Sequence, residues 1–145
     1  MFRVSKLACR LAVAGFLAIA VAGKANAELP PGSYNALRAG AGEVLIVEVT
    51  KAVTTTVDGP NTVTLTAKVL HADKSSTKLK AGSEITIQYV TPKAGVPIEG
   101  PRQPVLLAKG DVRVAYLRMD PKTKKYSLAA HGMSFTADIE KVILN

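Results

Sequence analysis

The sequence predicts a small all-β domain, a barrel of about five antiparallel strands, and three observations carry that expectation. β-Branched and apolar residues alternate with polar ones at a period of two across residues 62–69, 84–89 and 111–120. Turn chemistry separates the runs, most clearly at Asp58-Gly59-Pro60-Asn61 and Asp120-Pro121-Lys122-Thr123-Lys124. The strand count falls short of the roughly seven that an immunoglobulin-like sandwich needs. A long first strand and unequal connections favour a five-stranded OB-like barrel instead.

Residues 1–27 read as a cleavable secretory signal peptide. Arg3, Lys6 and Arg10 give a basic start without an acidic residue, and an unbroken apolar run from Leu11 to Gly23 follows. That run is shorter than the roughly 20 residues a spanning helix requires. Ala25-Asn26-Ala27 then places small residues where a signal peptidase reads them, so cleavage is expected after Ala27. Cys9 is the only cysteine and precedes the apolar run, which is the wrong place for a lipid-modified first residue.

The expected product, residues 28–145, is one β domain with no transmembrane segment. Removing the signal takes four of the 19 basic residues and none of the 11 acidic ones, leaving 15 against 11, a net charge of +4. Such a charge supports solubility and carries no nucleic-acid footprint. An exported domain with neither disulfides nor an Asn-x-Ser/Thr acceptor points to a bacterial protein, periplasmic or extracellular.

Within residues 28–145, Leu29-Pro30-Pro31-Gly32-Ser33 reads as a stiff, non-helical lead-in. Ser33 is then placed to cap a short helical turn over Tyr34-Asn35-Ala36-Leu37-Arg38, ended by Gly40. Glu43-Val44-Leu45-Ile46-Val47-Glu48-Val49 is too continuously apolar for a one-faced surface strand, so it reads as buried on both sides, with an extension through Val53 to Val57. Val63, Leu65, Ala67 and Val69 form one face of the next strand, before a polar loop over 73–82. Ile85, Ile87 and Tyr89 share a face of the third. Residues 92–110 hold four prolines and three glycines and read as a long irregular loop, a length often tied to function. The fourth strand, 111–120, sets Val112, Val114 and Tyr116 against Arg113, Ala115, Leu117 and Met119. A hairpin turn returns the chain through Tyr126 to Ala130. The tail fits either a short helix, from Phe135, Ile139, Val142 and Ile143, or a final strand.

The order of segments resembles a group of small exported bacterial proteins of unassigned function. The residues that carry the likeness are Leu79-Lys80-Ala81-Gly82-Ser83-Glu84-Ile85-Thr86-Ile87-Gln88-Tyr89, Gly100-Pro101-Arg102-Gln103-Pro104, Lys109-Gly110-Asp111, Ala115-Tyr116-Leu117 and Tyr126 through Phe135. The same order is similar to tissue-inhibitor-like (netrin-type) OB domains, which implies the barrel fold. Those inhibitors reach a metal through an amino-terminal cysteine that this chain lacks, so inhibition of metalloproteases is not implied.

Catalytic signals are absent from the pattern: none of Ser33, Ser75, Ser76, Ser83, Ser127 or Ser134 lies in Gly-x-Ser-x-Gly, and only two histidines are present. The protein is therefore expected to be a non-enzymatic binding or accessory module without a cofactor, contacting a protein or cell-surface partner. Its candidate residues are Arg102, Leu106, Leu107 and Lys109 in the long loop, beside residues 129–135. The competing reading makes that loop a cover for one barrel end, with Leu106 and Leu107 as its lid. The alternative function is a small periplasmic copper-binding protein using His131 and Met133, one face of an extended strand, with His71 or Met119 completing the set. Two lysine-rich tips, at Lys74, Lys78 and Lys80 and at Lys122, Lys124 and Lys125, read as solvated turns.

Overall fold

A computed structural model describes residues 28–96 and 100–144, so the expected signal peptide lies outside the described residues. The elements run α1 (Pro31–Ala39), β1 (Glu43–Thr56), β2 (Asn61–Ser75), β3 (Glu84–Thr91), β4 (Val112–Met119), β5 (Tyr126–Leu128), a 3-10 turn (His131–Met133), β6 (Phe135–Thr136) and α2 (Ile139–Ile143). β1, β2 and β3 form an antiparallel meander. β3 meets β5 in parallel at Ile87 and Tyr126, β5 runs antiparallel to β4, and β4 closes onto β1. The ring order β1-β2-β3-β5-β4 is that of a closed five-stranded barrel of OB type.

Every alternation identified in the sequence has a place in this ring. Leu45, Val47 and Val49 from β1, Val63, Leu65, Ala67 and Val69 from β2, and Ile85, Ile87 and Tyr89 from β3 fill the interior with Ala115, Leu117, Tyr126 and Phe135. Each fully buried Leu, Ile or Val contributes about 1.5–3 kcal/mol relative to leaving it in water. β1 is apolar on both faces because Ile46 packs outward with Val114 against Val142 of α2. Three register shifts along β1, between Val44 and Leu45, Ile46 and Val47, and Val49 and Lys51, coil it tightly enough to serve β2 and β4 together.

The lead-in differs from the expectation. Pro31, Gly32 and Ser33 are helical, and the cap position is Pro30 rather than Ser33. Proline suits the first helical turn because its missing N–H would have had no partner there, and its fixed φ is already helical. The tail contains both readings in succession, β6 and then α2. β2 also runs on to Ser75, taking the start of the expected polar loop.

The β4–β5 turn is built by Asp120, whose carboxylate accepts the Lys122 N–H (2.9 Å) and the Thr123 hydroxyl (2.9 Å). Those bonds, the Lys122 N–H foremost, hold its carboxyl below the usual range. Among the described residues no helix is long and apolar enough to cross a membrane.

Candidate functional site

Residues 100–110 of the connection between β3 and β4 form a strap across the barrel end at which β3 finishes, tied there by hydrogen bonds. Tyr34 of α1 accepts the Arg102 N–H on its hydroxyl at 2.7 Å. The Arg102 carbonyl accepts the Gly132 N–H at 2.7 Å. Tyr89, at the end of β3, donates its hydroxyl to the Val105 carbonyl at 3.1 Å. Burial pushes the Tyr89 phenol above its ordinary pKa, and the backbone N–H of Leu107 pulls the other way. Leu107 itself drops into the core, 5% exposed, close to the Tyr89–Phe135 ring pair.

Opposite this strap, β5 and β6 are one strand along β4 interrupted by the His131–Met133 turn. Ala129 N–H bonds the Tyr116 carbonyl before the turn, and Tyr116 N–H bonds the Ser134 carbonyl after it. Buried Ser134 closes the excursion by accepting the Ala130 N–H at 2.8 Å. His131 enters the turn with φ of 47°, and Arg38 of α1 donates its Nε to the Met133 carbonyl at 2.8 Å while lying over the Tyr116 ring. Gly132 is the tightest point. A Cβ there would collide with the backbone carbonyls of Arg102 and Gln103, so only glycine lets the strap and the turn meet.

The strap holds Arg102 in place by its backbone and leaves its side chain exposed, with Nη1 3.6 Å from the Met133 sulfur. A groove of about 580 Å³ opens on one side, lined by Leu29, Pro30, Tyr34, Asn35 and Met133 as well as Arg102. A second groove, of about 340 Å³, lies between Arg102, Gln103, Pro104, Val90, Leu128 and His131. Beyond them Val105 and Leu106 are 55% and 62% exposed. The exposed guanidinium thus lies between two grooves whose linings are mostly apolar but include Glu28 and Asn35 on one side and Gln103 and His131 on the other.

The loop candidates therefore separate by role. Arg102 and Leu106 are presented outward, and Leu107 is the lid over the core. Lys109 is exposed in the turn that precedes β4, where Gly110 bonds Val49, at the other end of the strap from Arg102. The expected neighbourhood of the loop and residues 129–135 is realised through the bond between Gly132 and Arg102.

The copper set fares differently. His131 and Met133 sit in a 3-10 turn rather than an extended strand, and they line different grooves. His71 lies on β2 opposite Ile46, and Met119 packs against the core. Neither histidine meets a carboxylate among the described residues, and no group of three or more His, Cys, Asp or Glu comes together there. Reasoning from sequence missed Tyr34, Tyr89 and Gly132 as positioning residues. The available signal was Gly132 itself, a glycine between two apolar runs, which marks a close backbone approach.

Compared with family models, curated proteins and solved structures, the chain matches none.

Proposed function

We propose that the protein is an exported, non-enzymatic binding module that contacts a protein or cell-surface partner through the strap and the adjoining turn. The observation that carries this reading is the fixed backbone of Arg102, tied to Tyr34 and Gly132, beneath an exposed guanidinium flanked by two grooves. A loop already ordered in the free protein loses less conformational entropy on binding. Export rests on the basic start, short apolar run and Ala25-Asn26-Ala27 of residues 1–27, and amino-terminal sequencing of the secreted product should begin at Glu28.

The contact is tested by placing a photo-crosslinking residue at Leu106 in the protein expressed in its native host, with the same probe at Lys122 as reference. A discrete adduct from Leu106, lost on adding Arg102→Glu and absent from Lys122, supports the reading. No adduct, or equal adducts from both positions, contradicts it. Copper titration of the processed protein addresses the metal reading, which requires tight binding that His131→Ala abolishes.

A further inference from the structure

The barrel closes over only the first half of β1. Glu43 through Glu48 pair with β4, and Val49 exchanges bonds with Asp111 (2.9 Å) and Gly110 (2.8 Å). There the strap turns away, yet β1 continues to Thr56 with β2 on its other side. Residues 51–56 are thus a sheet edge with no strand beside it among the described residues, and every side chain along it is exposed.

The register shows which backbone groups point outward. Val69 exchanges bonds with Ser83 and Gly82 on the β3 side, so by alternation Ala67, Leu65 and Val63 also bond toward β3. Thr66, Thr64 and Thr62 therefore bond toward β1, where their partners are Lys51, Val53 and Thr55. The N–H and C=O groups of Ala52, Thr54 and Thr56 are left facing solvent. An uncovered edge of this kind is a template for another strand, and Val53-Thr54-Thr55-Thr56-Val57 is β-branched throughout and uncharged.

We propose that this edge pairs antiparallel with the same edge of a second copy of the chain, with Thr54 on the two-fold axis. That register sets Thr54 opposite Thr54 and Ala52 opposite Thr56, so the outward donors and acceptors of each copy meet those of the other. Charge selects the orientation. Lys51 sits at the barrel end of the edge and Asp58 at the hairpin tip, so antiparallel pairing brings each Lys51 beside residues 57 and 58 of the other copy. Parallel pairing would set the two lysines together. The contact is short, so the association is weak and reversible.

Sedimentation of the chain from Glu28 onward, between about 10 µM and about 1 mM, reads the association directly. The average mass should rise toward the dimer over that range. Thr54→Pro should weaken it at least about tenfold while changing thermal unfolding far less than Val53→Pro does, because that N–H has no partner among the described residues. Val53→Pro should instead lower the temperature of thermal unfolding by removing a ladder bond to β2. Lys51→Glu should weaken the dimer, and adding Asp58→Lys should restore it, a comparison that stands even where proline is poorly tolerated. A monomer across the whole range, or a dimer indifferent to both Thr54→Pro and the charge exchange, overturns the proposal.

Discussion

The barrel is shut at both ends by a buried polar side chain that reaches a loop, and the two ends differ in what they then show to solvent. Where β1 begins, the fully buried Glu43 accepts the Ser76 hydroxyl (2.7 Å) and the Thr77 N–H (3.0 Å) on Oε1. Thr77 in turn meets the Tyr126 hydroxyl at 2.9 Å. The loop that this carboxyl organises is short and outwardly polar, with Lys78 and Lys80 in water. Where β3 ends, Tyr89 organises a long strap that buries Leu107 and exposes Val105, Leu106 and Arg102. One end secures the fold. The other secures the fold and also leaves apolar Val105 and Leu106 facing outward, the feature on which the proposed contact rests.

Substitutions can break that comparison, beginning with the largest effect. Gly132→Ala forces a methyl against two backbone carbonyls that no rotamer can move, and should cost about 3 kcal/mol in denaturant unfolding and abolish the Leu106 adduct. Glu43→Ala leaves the Ser76 hydroxyl and Thr77 N–H without their acceptor, and should cost about 2 kcal/mol while preserving the adduct. Loss of the adduct in that variant would mean that the two ends are not independent.

Tyr89→Phe should cost about 1 kcal/mol through the bond to Val105, with partner contact weakened rather than lost. Its pH signature sharpens the assignment. The folded phenol has a raised pKa, so its contribution is complete below the unfolded value near 10.0 and disappears as pH rises through the folded one. Thermal unfolding followed into the alkaline range should show that loss in the natural protein, and Tyr89→Phe should remove it. Leu106→Asp should change stability by no more than about 0.5 kcal/mol, since the side chain is exposed, and yet eliminate binding.

The strands were legible because burial follows their local period. Val63, Leu65, Ala67 and Val69 alternate in the chain and lie buried on the interior face. The two-sided burial of β1 was also readable, although its outer cover, Val142 on α2, was not, because the tail fitted two structures equally well. Pro31 misled because proline argues against helix everywhere except at the first turn, where α1 places it, whereas Pro30 is non-helical as its type suggests. The site was half visible. The length and the proline and glycine content of residues 92–110 marked the strap, but its docking on Gly132 depends on a contact between residues 30 positions apart in the chain. His131 and Met133 looked like one face only while the segment was taken as extended, and the turn that makes room for the strap removes that geometry. The edge of β1 was hidden for a related reason, because where a barrel closes depends on register rather than composition.

The central claim is that the strap is rigid in the free protein and held by the turn. Amide hydrogen exchange at Gly132 tests it most directly, since that N–H is the donor to the Arg102 carbonyl. The account predicts exchange nearly as slow as that of the core strands, and fast exchange there in Tyr34→Phe combined with Tyr89→Phe, which removes two of the strap's other ties. Exchange at Gly132 as rapid as at Gly59, in the exposed β1–β2 turn, would contradict it.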